Sequence, residues 1–373
     1  MPAARTALVV GGGVAGMSCA IMMRRAGIEV SLMDLDPQWR VAGAGITITA
    51  PTLRAFKAVG ILDRVMQEGH THEGIRVCSV DGKPTEEVRS PPLDVDVPGA
   101  GGILRPVLHG ILSDCTRALG TDVRLGVTVQ SLEQDEDGVS VRFSDGTDGR
   151  YEVVIGSDGI HSRMRELLFP DTPVPRFTGQ ACWRLVTARP SEIDRRHFFL
   201  GGPVKVGLTP VSQREMYLFL LEHVPDNPWR EPGEHHVLLR KLLVGYGGVL
   251  ARLREDLDEN SRIVYRPLEG HILRRDWFKG RAILLGDAAH ASTPQLASGA
   301  GMAAEDGIVL ADELRGSSTV QEAFRRFMKR RYERCRLVVE NSLEIGRLET
   351  AKAPPELQTS IVAQSLQALA API

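Results

Sequence analysis

The chain has 373 residues and a formal net charge of −2, with 43% hydrophobic and 25% charged residues. This length exceeds one ordinary hydrophobic core and favours two domains, while the near-neutral charge argues against a nucleic-acid-binding protein. The cysteines form no C-x-x-C pair, so we expect neither a disulfide framework nor a metal site. Because there is neither a signal-peptide pattern nor an apolar run of about 18 residues, we expect a cytoplasmic protein without a membrane span.

The first predicted elements surround a glycine-rich turn. Residues 7–10 predict a buried strand, residues 17–25 a helix, and residues 29–33 a second strand that ends at Asp34. The turn after the first strand follows the pattern G-x-G-x-x-G through Gly11, Gly13 and Gly16. Such glycines permit a tight bend, close approach of a pyrophosphate and close helix packing, and an acid about 20 residues later binds a ribose. The unit predicts a dinucleotide site; the alternative is a βαβ unit whose glycines serve only packing.

The next segment predicts shorter elements. We expect a strand over 46–49, a helix that ends at Gly60, and a hairpin over 75–88. Residues 91–102 are rich in proline and glycine and predict a connecting loop, whereas residues 105–119 predict a helix. Further strands are expected over 127–132, 139–143 and 151–155.

The composition changes in the second half of the chain. Residues 170–266 predict mainly strands, as in a largely antiparallel domain inserted into the first. A buried strand over 281–285 returns to the first domain, followed by a helix up to Leu314 and a long helix from Val320. The basic run of this long helix is expected to be its solvated face: Arg325, Arg326, Lys329, Arg330 and Arg331.

Two later turns resemble the glycine-rich turn in one respect: each directly follows a predicted apolar strand. The first reads S-D-G-I-H-S-R over 157–163, and the second reads G-D-A-A-H-A-S-T-P over 286–294 and continues to Gly301. In an open α/β sheet, turns at the carboxyl ends of the strands gather at one edge, where ligands bind. We therefore expect Asp158 and Asp287 to lie near the glycine-rich turn.

These three motifs, in this order, resemble those of the flavin-dependent aromatic hydroxylases of the para-hydroxybenzoate hydroxylase and salicylate hydroxylase type, the class A monooxygenases. The resemblance covers positions 4 to about 330. It implies an α/β fold: a Rossmann-like FAD-binding domain of the glutathione-reductase type, an inserted, mainly antiparallel β substrate domain, and a C-terminal helical region. The implied boundaries are 1–72, 98–169 and 266–330 for the FAD-binding domain, 73–97 and 170–265 for the substrate domain, and 331–373 for the C-terminal helices.

The resemblance also implies roles for cofactor-binding residues. Asp34 would hold the adenosine ribose, Arg105 would lie near the pyrophosphate, and Asp158 would belong to a motif shared by FAD and the pyridine nucleotide. Asp287 would reach the ribityl chain or the pyrophosphate, and the N–H groups of 299–301 would point at the pyrimidine side of the flavin. The full cofactor-binding set is Gly11, Gly13, Val14, Ala15, Gly16, Asp34, Arg40, Arg105, Asp158, Asp287, Pro294, Gly299, Ala300 and Gly301.

Three positions depart from the family pattern. Asp34 stands where glutamate is commoner, and its shorter side chain shifts the expected ribose contact. Ala297 stands where the family often has glycine, and Gly301 where it often has asparagine. Contacts through backbone N–H groups survive such changes, so FAD binding is still expected.

The predicted catalytic residues are Arg184, Pro294, Tyr217 and Thr47. By the resemblance, Pro294 would lie beside the isoalloxazine ring and Arg184 near flavin and substrate, where its planar fork suits a carboxylate or a flavin carbonyl. The alternatives are a surface ion pair for Arg184 and a core tyrosine with a satisfied hydroxyl for Tyr217. Three histidines are weaker candidates for a base that deprotonates a phenol: His70, His72 and His109.

The resemblance implies an NADH- or NADPH-dependent FAD monooxygenase that hydroxylates a small aromatic or heteroaromatic substrate with O₂ through a flavin C4a-hydroperoxide. Only one dinucleotide fold is predicted, so the pyridine nucleotide would dock transiently. Two alternatives on the same scaffold are an epoxidase and a monooxygenase that modifies natural products or antibiotics. A non-catalytic FAD- or NAD-binding protein is the alternative from a different class. We expect a monomer or a homodimer.

Overall fold

A computed structural model describes residues 2–41 and 43–373. Its strands are β1 Thr6–Val10, β2 Glu29–Asp34, β3 Gly45–Thr49, β4 His70–His72, β5 Ile75–Cys78, β6 Pro84–Val88, β7 Ala100–Leu104, β8 Asp122–Leu125, β9 Val129–Gln134, β10 Val139–Phe143, β11 Asp148–Tyr151, β12 Val153–Gly156, β13 Arg176–Ala188, β14 Arg196–Phe199, β15 Lys205–Pro210, β16 Glu215–His223, β17 Arg262–Gly270, β18 Phe278–Lys279 and β19 Ala282–Leu284.

The helices are α1 Val14–Arg25, α2 Ala50–Val59, α3 Leu62–Glu68, α4 Arg105–Ala118, α5 Arg163–Leu168, α6 His235–Leu242, α7 Gly248–Asp256, α8 Asp287–His290, α9 Gly299–Gly316, α10 Val320–Thr350 and α11 Pro355–Ala370. Short 3₁₀ helices cover Pro232–Glu234 and Pro294–Leu296. Among the described residues, no helix is both long enough and apolar enough to span a membrane.

A six-stranded sheet has the order β18-β19-β12-β1-β2-β8. The part of the chain built around this sheet, which includes the glycine-rich turn, is called the cofactor domain below. All its pairs are parallel except β18 with β19. Its central strand β1 reads T-A-L-V-V and is almost entirely buried, as expected for a parallel strand that is covered on both faces. Helix α1 packs between α4 and α9 against this sheet. The predicted α/β fold is confirmed.

The inserted region forms a seven-stranded sheet of order β17-β13-β16-β15-β14-β5-β6. Its pairs are antiparallel apart from β5 with β14, so the expected largely antiparallel sheet is found. One face is covered by α6 and α7 through an apolar cluster that includes Trp183, Leu218 and Leu250. The other face is turned towards the cofactor domain, where Tyr217 contacts Thr47 of β3.

The loop predicted over 91–102 is partly wrong, because residues 100–104 form β7 between β3 and β4. Glycine rarely indicates a strand, but here two glycines are required because there is no room for a side chain. A Cβ at Gly101 would lie 2.9 Å from the carbonyl oxygen of His70, and one at Gly102 would overlap that of Pro210. The two glycines therefore let β7 lie close to its paired strand β4 and to β15 of the inserted sheet, where a side chain would clash.

The long helix α10 spans 31 residues, crosses the expected boundary at 330 and packs against α9 and α11. The expectation that its whole basic run is solvated is wrong for Arg331, which is completely buried. The reason lies on α9, where Glu305 and Asp306 face Arg331 and accept hydrogen bonds from its guanidinium. The domain boundaries themselves stay predictions.

Candidate active site

The glycine-rich turn leaves the N-terminus of α1 open. Gly11 has φ +105°, and a Cβ there would overlap the carbonyl oxygen of Ser157, so both conformation and space require glycine. A Cβ at Gly16 would overlap the carbonyl oxygen of Gly11, whereas one at Gly13 meets nothing within 4 Å. No side chain caps α1, and no acid lies in its first turn. Its free N–H groups and dipole therefore face open space that suits an anion.

Asp34 lies beside this turn at the end of β2. One carboxylate oxygen accepts a hydrogen bond from the backbone N–H of Gly12 at 2.7 Å, and the other from that of Asp36 at 2.8 Å. The indole of Trp39 donates to the carbonyl oxygen of Gly12 at 3.1 Å and packs edge-on against His109, with ring centroids 5.5 Å apart. Sequence reasoning did not identify Trp39, because no local pattern links it to a turn 27 residues earlier.

Arg40 is exposed, and its ionic partner is Asp36, with Nε 3.9 Å from a carboxylate oxygen. The structure thus places Arg40 at the rim beside Asp34 rather than at the N-terminus of α1. Its role in binding a cofactor stays a prediction.

Asp158 organises the second motif. Its carboxylate accepts hydrogen bonds from the Ser162 hydroxyl at 2.5 Å and from the backbone N–H of Met164 at 2.9 Å, while burial raises its pKa. Ser162 caps α5 by accepting from the N–H of Arg165 at 2.9 Å. The buried Arg165 guanidinium then donates to the carbonyl oxygen of Ala288 at 2.9 Å. The second motif is therefore tied to the third.

Asp287 and Arg105 lie together in a cleft at the carboxyl edge of the sheet. Both side chains are solvent-exposed, yet the surrounding protein raises the pKa of Asp287 and lowers that of Arg105. A side chain that is in contact with solvent and yet has many protein atoms around it lines a concave surface. The charge of Arg184 further lowers the pKa of Arg105, and the charge of Arg105 opposes the rise at Asp287, so the three side chains share this cleft.

A buried charge network holds the third motif in place. Asp306 of α9 accepts from the backbone N–H of Gly286 at 2.9 Å and lies 2.6 Å from Nε2 of His290. Its second oxygen accepts from Nε of Arg331 at 2.8 Å. Burial opposes the charge on both groups, but His290 and Arg331 lower the pKa of Asp306 to about 2, and Cys335 and Asp306 raise that of His290 well above its usual value.

His290, Asp306 and Cys335 bring their ligand atoms within 4.8 Å of one another, as a metal site would. The Arg331 guanidinium donates to Asp306 at the same place, which supplies the positive charge that a metal ion would bring. This cluster therefore has a structural explanation without a metal.

The segment after Pro294 leads into the open N-terminus of α9. Ala297 has φ +49°, a left-handed conformation that explains why glycine suits this position. Helix α9 begins at Gly299 with no side-chain cap and no acid in its first turn. A Cβ at Gly301 would overlap the Thr52 hydroxyl, which excludes the asparagine seen elsewhere in the family pattern unless α2 moves. Gly299 and Ala300 remain accessible.

The inserted sheet presents a partly aromatic face to the cofactor domain. Tyr217 is 5% exposed; its ring packs on Gly45, and its hydroxyl lies 2.5 Å from that of Thr47. Phe219 follows on the same face of β16 and meets Phe198 of β14 edge-on, with centroids 5.6 Å apart. The predicted residues Thr47, Tyr217 and Arg184 thus come together on one side of the sheet, and Phe198 and Phe219 extend that surface.

The candidate histidines have other surroundings. Nε2 of His70 lies 3.0 Å from the carbonyl oxygen of Asp194, and Nδ1 of His72 lies 3.2 Å from that of Gly74. Burial, helped by the charge on His70, lowers the pKa of His72 to about 4, while burial lowers that of His109 as well. Both His70 and His72 therefore bond to backbone carbonyls rather than to Tyr217.

Comparison with known proteins places this geometry in context. Residues 4–342 match the family model described as FAD binding domain. Aurachin C monooxygenase/isomerase of Stigmatella aurantiaca is 30% identical over 354 residues, covering 92% of this chain and 89% of that protein. The 2-heptyl-3-hydroxy-4(1H)-quinolone synthase of Pseudomonas aeruginosa is 31% identical over 359 residues, covering 94% and 91%.

A solved structure shares the fold at lower sequence identity. The crystal structure of Klebsiella pneumoniae HpxO complexed with FAD and uric acid superposes with a TM-score of 0.84 and 23% identity, covering 98% of this chain and 92% of that one. The similarity extends over the inserted sheet and the C-terminal helices as well as the cofactor domain.

Proposed function

The chain belongs to the class A FAD-dependent monooxygenases, and on this premise we propose that it hydroxylates a small aromatic or heteroaromatic compound with O₂ and electrons from NADH or NADPH. The observation that carries the substrate class is the surface formed by Phe198, Phe219 and Tyr217 on the face of the sheet that is turned to the cofactor domain. Such a surface packs well against a flat ring.

The residues at the carboxyl edge of the parallel sheet suit FAD. The open space at Gly13 and the uncapped N-terminus of α1 fit the pyrophosphate, with Asp34 beside them for the ribose. Asp287 and Arg105, whose charges act on each other, would lie along the rest of the cofactor. The uncapped N-terminus of α9 fits the electron-rich side of the flavin.

Bound FAD supplies electron transfer from the pyridine nucleotide and the activation of O₂. The N–H groups at the start of α9 would favour negative charge on the flavin without reorganisation, and Arg105 and Arg184 would add positive charge to the site. The aromatic surface positions the substrate ring and excludes water from it. The bond between Thr47 and Tyr217 fixes the Tyr217 hydroxyl, so that it serves as an orienting group rather than a free base.

A substrate panel tests this proposal. The holoprotein is mixed with NADH or NADPH and with phenols, quinolones, purines and pyridines, and nucleotide oxidation is followed together with ¹⁸O from ¹⁸O₂ in the product. We expect at least one compound to accelerate oxidation and to gain one ¹⁸O atom as a ring hydroxyl. An epoxide as the product would assign the reaction to the alternative on the same scaffold. Bound FAD without stimulation by any compound, and without labelled product, would contradict hydroxylation.

A further inference from the structure

Arg196 of β14 is a half-buried cation without an acidic partner. Its Nε is sealed from solvent and has no hydrogen-bond acceptor. Within the described part of the chain, no carboxylate forms an ion pair with Arg196, whereas the neighbouring Arg195 pairs with Glu87 and Asp194 at 3.0 Å each. A charged group that has lost part of its hydration and has no acidic partner is unfavourable unless something compensates it, so Arg196 requires an explanation.

The neighbouring rings compensate Arg196 only in part. Its guanidinium carbon lies 4.3 Å from the ring centre of Phe198 and 5.5 Å from that of Phe219, which are cation–π distances. Burial lowers the pKa of Arg196 to about 10, so the group is still charged at neutral pH. Aromatic rings provide no acceptors for the N–H groups of a guanidinium. The Nε–H group of Arg196 is therefore a donor that an anionic ligand can use.

Strand register places Arg196 on the side of the sheet that faces the cofactor domain. Phe198 is opposite Gly207, Gly207 is opposite Phe219, and Phe219 is opposite Arg184, so these residues share one face. Arg196 precedes Phe198 by two residues and lies on the same face. Across from this face, Thr47 of the cofactor domain contacts Tyr217.

Other cations near this face already have a defined setting. Lys205 pairs with Glu349 at 2.6 Å, which neutralises it. Arg105 and Arg184 lie with Asp287 in the cleft assigned to the cofactor. Arg196 has aromatic neighbours instead, which is the environment of the substrate ring in the proposed function.

We propose that Arg196 binds an anionic group of the substrate, which is therefore a flat aromatic or heteroaromatic ring that carries a carboxylate or an equivalent planar oxyanion. The inference rests on the proposed function and narrows its substrate class. The guanidinium fork matches two carboxylate oxygens, while Phe198 and Phe219 contact the ring.

Paired probes that differ only in charge test this assignment. Flavin absorbance of the holoprotein is titrated with 4-hydroxybenzoate against 4-hydroxybenzamide, and with quinoline-4-carboxylate against quinoline-4-carboxamide. We expect at least one acid to bind about 10- to 100-fold more tightly than its amide, as for a charge-assisted hydrogen bond. Arg196→Gln should remove this difference, and Arg196→Lys should retain part of it.

Arg195→Gln is the matched control, because it removes an adjacent arginine that already has acidic partners, and it should keep the full difference. FAD content and melting temperature are measured for each variant. If Arg196→Gln loses FAD, wild type is compared with Arg196→Lys instead. Direct binding of the substrate anion predicts that Arg196→Lys keeps a reduced but measurable preference for the acid.

The proposal is overturned if no acid binds more tightly than its amide in the wild type, or if Arg196→Gln keeps the preference. Acid binding that depends on Arg196, without stimulated nucleotide oxidation or labelled product, would support the Arg196 site and contradict the proposed hydroxylation. Hydroxylation of neutral rings with no preference for acids would support the proposed hydroxylation and contradict the Arg196 site.

Discussion

At the scale of single residues, two glycines of the first turn have different surroundings. Gly11 adopts φ +105° against the backbone of Ser157, so its lack of a side chain serves the fold itself. Gly13 has an ordinary extended conformation and open space where a Cβ would be, so we propose that its lack of a side chain serves the ligand. On this proposal, one sequence motif contains a structural and a binding requirement that mutagenesis can separate.

We expect Gly13→Ala to weaken FAD binding by about tenfold or more, because a methyl group would occupy space beside the pyrophosphate, with little change in the stability of the apoprotein. Gly11→Ala should instead lower the stability of the apoprotein by about 2 kcal/mol or more, since it adds strain and a clash. FAD titration and thermal melting of both apoproteins measure the difference. Gly110→Ala, in open space within α4, is the control and should leave FAD affinity unchanged. Equal loss of apoprotein stability in the Gly11 and Gly13 variants would contradict this separation.

Ala297 is strained because it adopts φ +49°, which is unfavourable for a residue with a Cβ. We expect Ala297→Gly to raise the free energy of unfolding by a few tenths to about 1 kcal/mol, since relief of strain exceeds the entropy that glycine loses on folding. Ala363→Gly, at an exposed position in α11, should lower it by about 1 kcal/mol. Chemical denaturation of both variants provides the measurement, and a decrease in both would show that Ala297 is unstrained.

At the scale of elements, α9 and α10 are joined by charges that neither helix could bury alone. Arg331 donates to Asp306 at 2.8 Å and to Glu305 at 2.6 Å, and Arg334 donates to Glu305 at 2.8 Å. Asp306 also accepts a hydrogen bond from the backbone N–H of Gly286, so the same carboxylate holds the loop before α8. The network therefore links α10 to the position of Asp287 in the cleft.

The low pKa of Asp306 gives the network a pH dependence. A carboxyl whose pKa falls from 3.8 in the unfolded chain to about 2 in the fold stabilises the protein above pH 3.8, and this stabilisation is lost as the pH falls towards 2. The stabilisation amounts to about 2 kcal/mol. We expect Asp306→Asn to melt at a lower temperature at pH 6 and to lose less stability than the wild type between pH 4 and pH 2.

Thermal melting across this pH range, with Asp312→Asn as an exposed control on the same helix, checks the prediction. Parallel loss of stability in the Asp306 variant and the wild type below pH 4 would show that Asp306 does not carry the acid sensitivity assigned to it.

Elements that could be predicted from the sequence are those encoded by consecutive residues. The glycine-rich turn, the strand before each motif and the helix that ends at Gly60 all depend on local spacing, and each is present. The strand β7 was missed because its glycines are explained only by contacts with β4 and β15, which are distant in sequence. Burial of Arg331 was missed because its partners lie on another helix. The aromatic pair Phe198 and Phe219 depends on the register of three strands, which spacing along the chain does not reveal.

At the scale of the whole molecule, the proposed cofactor site combines three segments that are distant in sequence. The glycine-rich turn, Asp158 and the start of α9 are connected mainly through strands β1, β12 and β19, which are neighbours in one sheet. Binding of one FAD would therefore bridge segments that otherwise meet only at the sheet edge. Stability of the whole molecule should follow cofactor occupancy.

Removal of FAD should lower the melting temperature, and its return should restore it in a concentration-dependent way. FAD at 100 times its dissociation constant would add about 2.7 kcal/mol to the free energy of unfolding. Riboflavin lacks the pyrophosphate and adenosine that the first turn is suited to bind, so it should stabilise much less. A melting temperature that is independent of FAD concentration would contradict this coupling.

The order of the segments along the chain also determines when each part of the cofactor site is synthesised. The glycine-rich turn leaves the ribosome first, but its sheet neighbour β12 waits for residue 153, and the open end of α9 waits for residue 299. At about 5 to 20 residues per second, roughly 15 to 60 s separate the two ends of the cofactor site. A nascent chain that halts before α9 would contain the first turn without the flavin end, so FAD would be acquired late in translation or after release.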